Sequence, residues 1–195
     1  MGTEFEAYVG PRPFEQKDKA IFFGRDREIR DLRFTVIANR FVLVYAQSGA
    51  GKTSIINAGL IPLLEEKRFE VLPVARVKGA LFKEIKSEEI SNVFVFNTLT
   101  SLAKDDYDVE RLAKMKLVDF LNEQKHKQDE DYNPLPRVII YDQFEEIFSF
   151  YRDRWKDRES FFEQVSIALK ANPLLRVVIV IREDFIAQLD PYRPL

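Results

Sequence analysis

Apolar residues along this chain recur in two periods, and the alternation between them lays out the fold. From about 26 to 39, Ile29, Leu32, Val36 and Ile37 are spaced for one buried face of a helix that Asp26 opens. Phe41 to Tyr45 is a continuous apolar run, the pattern of a strand, and it ends in a loop of small residues. Helical spacing follows over about 52–66, with Pro62 expected to kink or shorten that helix. Residues 69–77 alternate and then run apolar, which predicts a second strand, and the polar stretch 78–89 predicts a loop. Within 91–102, Val93 to Phe96 has strand composition, but Leu99 and Leu102 continue a helical spacing, and the segment is read as helix. The face Leu112, Met115, Leu117, Phe120 and Leu121 predicts a helix over about 109–124.

Beyond a charged connection at 125–136, Arg137 to Asp142 is a short apolar run ending in a carboxylate, as a doubly covered parallel strand reads. Helices are expected at about 143–152 and 157–171, with Trp155 anchoring the charged stretch between them to the core. A last strand is expected at 174–181, and two prolines in DPYRPL are expected to stop the structure. Residues 1–25 read as irregular, because Gly10-Pro11-Arg12-Pro13-Phe14 holds two prolines. Strands alternating with helices predict an α/β domain with a mostly parallel sheet.

Composition narrows the chemistry. With 46% apolar residues in 195, one substantial core is expected. A net charge of −2 gives no basic face for nucleic acid. The chain has no cysteine, hence no disulfide or thiolate site, and its single histidine, His126, is expected on the surface in the solvated KHKQDED tract. No signal-peptide pattern and no apolar run of about 20 residues is present, so a cytoplasmic, non-membrane protein is expected. Seventeen phenylalanines imply a large core or apolar surface kept for a partner.

The stretch Ala46-Gln47-Ser48-Gly49-Ala50-Gly51-Lys52-Thr53 carries the most specific chemistry, fitting [AG]-x-x-x-x-G-K-[ST] between a strand and a helix. Small residues let the backbone curl so that successive N–H groups and the helix N-terminus face a polyphosphate. Ser48, Gly49, Ala50, Gly51, Lys52, Thr53 and Ser54 are therefore the candidate nucleotide-binding residues, with Lys52 reaching β- and γ-phosphate oxygens. Thr53 and Asp142 are the candidate Mg²⁺ ligands. Glu145 or Glu146 could orient a water and accept its proton, or either could be a first-turn helix acid. Arg182, at the end of the fourth strand, could touch a γ-phosphate or pair with Glu183 or Asp184. Arg25 and the Phe22-Phe23-Gly24 turn could close over a base and ribose, or form a hydrophobic staple; Arg76 is a weaker candidate of the same kind as Arg182.

GPRPF, IFFGRDREIRDL, AQSGAGKTSIINAGLIPLL, VIIYDQFEEIF and VVIVIREDF together resemble the novel STAND branch of the P-loop NTPases, relatives of the AP-ATPase and NACHT domains, over nearly the whole chain. The resemblance implies a three-layer α/β/α ATPase module of a larger signalling protein. Such a protein senses a stimulus through other domains, exchanges ADP for ATP, oligomerises and releases an effector, in several bacterial cases as defence against phage. It implies that Lys52 and Thr53 bind phosphate and Mg²⁺, that Asp142 is the metal-side acid, that Glu145 or Glu146 polarises water and that Arg182 senses the γ-phosphate. Gly24 and Arg25 match the family's glycine-arginine element beside the adenine. On this view residues 1–40 cover the nucleotide site and 41–195 are the NTPase core, truncated after the sensor strand, with one edge of the central strand left open to pairing with another chain or to cover from the N-terminal segment.

Ala46 stands where a glycine is more usual, which is tolerable if its φ is negative. Gln143, directly after Asp142, replaces the glutamate of many fast ATPases, so turnover is expected to be slow. ATP over GTP rests on the resemblance; no Asn-Lys-x-Asp motif is present. The competing expectations are an ATPase or kinase whose turnover is itself the function, and a non-hydrolysing scaffold. Intact Lys52, Thr53 and Asp142 count against the scaffold.

Overall fold

The computed structural model describes residues 12–79, 85–103 and 107–192. Four strands, β1 (Phe41–Ala46), β2 (Glu70–Val71), β3 (Arg137–Tyr141) and β4 (Leu175–Arg182), form one sheet in the order β1-β4-β3-β2, with every pairing parallel. The long strands alternate between two apolar layers. Val138, Ile140, Val178 and Val180 face a layer built from the first helix (Asp26–Ala38) and the helix after the small-residue loop. Ile139, Tyr141, Val177, Ile179 and Ile181 face the layer under the helices Val93–Leu102, Leu117–Glu123 and Asp157–Ala171. Both faces are covered, which is why β3 and β4 read as unbroken apolar runs. Several phenylalanines serve this second layer, where Phe94, Tyr141, Phe144, Phe161 and Phe162 meet edge-on or tilted with ring centroids 5.5–6.4 Å apart.

Pro62 does not shorten the helix. Lys52–Ser54, Ile55–Leu60 and Ile61–Glu66 follow one another without a break, and the middle stretch is a π-helix in which the Ile61 N–H bonds Ile56 O. Widening the turn ahead of a residue with no N–H accommodates the proline within the helix. Gly59, in that stretch, lies against the first helix: a Cβ there would fall 2.6–3.1 Å from the Ile29 side chain.

Elsewhere tertiary contacts redraw the expected boundaries. The second strand is only two residues long, because Pro73 interrupts it. Leu72 N–H bonds Val138 O and Ala75 N–H bonds Ile140 O, so three residues on this side span two on β3 before the Ala75–Tyr141 bridge. The expected helix over 109–124 is two, Val109–Lys114 and Leu117–Glu123, with Met115 and Lys116 extended between them. The Gln164 side chain accepts the Leu117 N–H at 2.9 Å, which starts the second helix afresh. Helix at 143–152 shrinks to Glu146–Ser149, since Gln143 and Tyr151 take positive φ (+53° and +50°) at its two ends. Part of the expected loop at 78–89 lies outside the described residues.

Three side chains sit differently from expectation. Trp155 is 57% exposed, and the adjoining helix is anchored by Phe161 and Phe162 instead. His126 is half-buried, with Nδ1 3.9 Å from Glu70 and Nε2 3.4 Å from the Asn172 side chain, rather than on open surface. After β4 the chain continues as 3₁₀ turns, Glu183–Tyr192, through Pro191, the first of the two prolines expected to stop it; Pro194 lies outside the described residues. Tyr192 stacks on Phe162 at 4.5 Å and so ties this end to the core.

Candidate functional site

The parallel register places the carboxyl ends of β1, β3 and β4 side by side: Ala46 is opposite Arg182, and Tyr141 opposite Ile179. The residues that follow these strands surround a cleft of about 490 Å³. Its floor is the loop Gln47–Gly51, where Gly49 and Gly51 take φ of +77° and +79°, conformations that a side-chain-bearing residue would adopt only with strain. Ala46 needs no such freedom, because it is the last residue of an extended strand. Lys52 opens the helix, and its ammonium donates to Ala46 O at 2.9 Å and Gln47 O at 2.8 Å, arching over the loop. Backbone N–H groups of a glycine loop and an ammonium at a helix N-terminus are the groups that seat a polyphosphate.

Beside that seat the Thr53 hydroxyl donates to Asp142 Oδ2 at 2.8 Å, and Asp142, 5% exposed, takes the Gln143 N–H on its other oxygen at 2.9 Å. A hydroxyl and a buried carboxylate in contact are hard oxygen donors, which suits a cation such as Mg²⁺ that also takes phosphate oxygens and water. Among the described residues no group of three or more His, Cys, Asp or Glu could hold a metal unaided. The donor set therefore fits an ion that arrives with an anionic ligand.

The two neighbouring glutamates part company. Glu145 lines the cleft and accepts the Arg182 backbone N–H at 3.2 Å, linking the β3 loop to the end of β4. Glu146 points toward Arg76, whose guanidinium grips it at 2.8 Å, and does not line the cleft. Arg182 lines the cleft while its guanidinium forks onto Asp184 at 2.6 and 3.1 Å. That fork holds the Asp184 carboxyl below its usual range, with nearby Lys52 adding to the effect.

Of the residues singled out by sequence, Ser48, Gly49, Gly51, Lys52, Thr53, Ser54, Asp142, Glu145 and Arg182 are brought together around one cleft. Ser54 is largely buried, and its hydroxyl accepts the Phe14 N–H at 3.1 Å. Ala50 turns the loop, donating its N–H to Gln47 O, without lining the cleft. Gly24 and Arg25 lie outside the lining: Gly24 takes a φ of +84° where the chain turns toward the first helix, and Arg25 pairs with Glu28 at 3.1 Å. Three lining residues lie outside the binding and catalytic set expected from the sequence: Arg12, Pro13 and Gln143, the last standing where many fast ATPases carry a glutamate. No residue-type pattern for phosphate binding marks Arg12 and Pro13, which stand well before the loop they border; the signals are that GPRPF is one of the motifs carrying the resemblance and that prolines stiffen the segment.

A family model, Novel STAND NTPase 1, matches residues 7–195. No curated protein matches the chain.

Proposed function

This chain belongs to the Novel STAND NTPase 1 family, and from that membership and the cleft we propose that it is a Mg-ATP/ADP-binding switch domain. In this reading hydrolysis is slow, and the identity of the bound nucleotide sets an assembly state of a larger signalling protein, in bacteria a stress or anti-phage defence system. The observation that carries the reading is the Thr53–Asp142 hydrogen bond at 2.8 Å, beside Lys52 and the glycine loop in one cleft. Membership itself implies nucleotide binding.

Each lining residue then has a task. The loop N–H groups and Lys52 bind the polyphosphate; Lys52 exchanges the carbonyls of Ala46 and Gln47 for phosphate oxygens. Thr53 and Asp142 would hold Mg²⁺, which when bound neutralises phosphate charge. Glu145 orients a water at the terminal phosphate and takes its proton. Arg182 leaves Asp184 for the γ-phosphate, so that Asp184 competes with the nucleotide for it. Slow turnover follows from Gln143 standing where an acid would otherwise adjoin Asp142. Self-association is supported by β1, which among the described residues pairs with β4 alone and leaves Phe41 and Tyr45 exposed along its free edge.

Calorimetric titration of ATP, ADP and GTP, with and without Mg²⁺, into this chain and Lys52→Ala tests the reading. Micromolar or tighter adenine-nucleotide binding (roughly −8 kcal/mol) that needs Lys52 and is strengthened by Mg²⁺ is the expected result. Failure of the intact chain to bind any of the three would overturn it. Sedimentation velocity with ATP against ADP then reads the assembly state.

A further inference from the structure

The first described residues of the chain reach the cleft although their sequence carries no phosphate-binding pattern. Arg12 and Pro13 line it alongside Lys52, Thr53, Asp142 and Arg182. The segment is fixed there from two sides. Phe14 donates its N–H to the Ser54 hydroxyl, one residue beyond Thr53, and the Phe14 ring packs on Phe22 with centroids 5.0 Å apart. Lys19, on the 3₁₀ turn Gln16–Ile21, pairs with Glu66 at the far end of the phosphate-loop helix. A strap over residues 12–22 is thus clamped along that helix with its first arginine at the phosphate end.

Arg12 is also aimed. Its Nη1 and Nη2 fork onto Asp18 at 2.6 and 3.1 Å, and Asp18 is itself 7% exposed, held by the Glu15 N–H at 2.9 Å. The Arg12 side chain remains 39% exposed where it lines the cleft, and its Nη1 also donates to Pro13 O at 3.1 Å and lies 3.9 Å from the Glu15 carboxylate. The hydrogen bonds from Arg12 and then from the Glu15 backbone hold the Asp18 carboxyl down at about 2, so it stays a charged tether at any physiological pH. The three cations lining the cleft share a design: Lys52 rests on loop carbonyls, Arg182 on Asp184 and Arg12 on Asp18. Against them the lining sets two carboxylates, Asp142 and Glu145. Asp18 and Asp184 already neutralise two of these cations, so each cation rests on a protein partner from which a bound anion would have to draw it.

We propose that Arg12 is a phosphate-contacting residue of this cleft, moving one arm of its guanidinium from Asp18 to a terminal phosphate oxygen of a bound nucleoside triphosphate. The segment from Arg12 to Ile21 thereby distinguishes triphosphate from diphosphate, and its clamp on Ser54 and Glu66 carries that distinction to the phosphate-loop helix. This rests on the reading of the cleft as a nucleotide site.

The test is calorimetric titration of Mg-ATP and Mg-ADP into the unaltered chain, Arg12→Gln, Arg12→Lys, Asp18→Asn and Lys52→Ala, each first checked for a cooperative thermal melt. Arg12→Gln is expected to weaken ATP about tenfold and ADP by less than about threefold, with Arg12→Lys between it and the unaltered chain. Asp18→Asn, which frees the guanidinium, is expected to keep ATP affinity or raise it. An ATP-to-ADP ratio unchanged in Arg12→Gln overturns the proposal, as does equal weakening by Arg12→Gln and Asp18→Asn, the mark of a purely structural pair. Should Asp18→Asn not fold, the ratio in Arg12→Gln and its recovery in Arg12→Lys decide alone. If the unaltered chain binds and Lys52→Ala does not, an indifferent Arg12→Gln removes this proposal and leaves the nucleotide reading standing. If the unaltered chain binds neither nucleotide, both fall.

Discussion

Arg76 donates to the Glu146 carboxylate from Nε at 3.3 Å and from Nη2 at 2.8 Å, and the same Nη2 reaches Gln143 Oε1 at 2.5 Å. An arginine from the end of the β2 segment thus takes the second of two consecutive glutamates out of the cleft. Residues adjacent along a helical turn project about 100° apart, so one acid cannot follow the other. Glu145 stays at the cleft wall.

That division predicts unequal kinetics. Glu145→Gln should lower ATP turnover by about 10²-fold or more, the usual worth of a positioned base. Glu146→Gln should lower it by less than about threefold, because its carboxylate serves Arg76. A phosphate-release assay at saturating ATP measures both, and equal losses would contradict the assignment.

Gly59→Ala should destabilise the domain even though alanine favours helix. The added Cβ meets Ile29 Cδ1 and Cγ1 at 2.6 and 2.7 Å, and a β-branched side chain within a helix has little rotamer freedom to retreat. Overpacking of about 1–3 kcal/mol outweighs the roughly 1 kcal/mol gained in propensity. Urea unfolding should show a lower midpoint; Ile29→Ala combined with Gly59→Ala should recover part of the loss attributable to the clash.

The lower end of the sheet depends on a buried ion pair. Arg137, fully buried, bonds Glu70 at 2.9 Å and the carbonyls of Leu121 and Lys125 at 3.1 and 3.0 Å, tying β3 to β2, to the end of the helix Leu117–Glu123 and to the segment after it. Arg137→Met leaves the Glu70 charge stranded and should cost about 3–5 kcal/mol in chemical unfolding. Glu70→Leu with Arg137→Met should be the more stable of the two variants, since replacing both charges removes the uncompensated one.

Acid should loosen the strap over residues 12–22 before it unfolds the core. Asp18 titrates at about 2 in the folded chain against an ordinary 3.8, so its contribution is present above about pH 3.8 and is lost as pH falls toward 2. The difference in melting temperature between the unaltered chain and Asp18→Asn should be constant at neutral pH and shrink across that window. A difference that persists at pH 2 would mean that the carboxylate charge is not what holds the segment.

The sequence by itself determined the alternating α/β plan, the central strand and loop, and the pairing of that loop with Asp142. Those features are written in local periodicity and in residue types that one kind of backbone demands, such as the glycines at positive φ in Gly49 and Gly51. Family likeness was legible for the same reason, since motifs at strand ends keep their spacing. What only the tertiary structure decided were relations between residues far apart in the chain. Among these are Arg76 capturing Glu146, the Phe14 N–H reaching Ser54, and Gln164 restarting a helix at Leu117. Trp155 and His126 were misplaced by composition, because an indole or imidazole is compatible with core and surface alike until the packing around it is known. Local patterns choose the elements, but the side chains of a cleft answer to whichever partner the folded sheet brings within hydrogen-bonding distance.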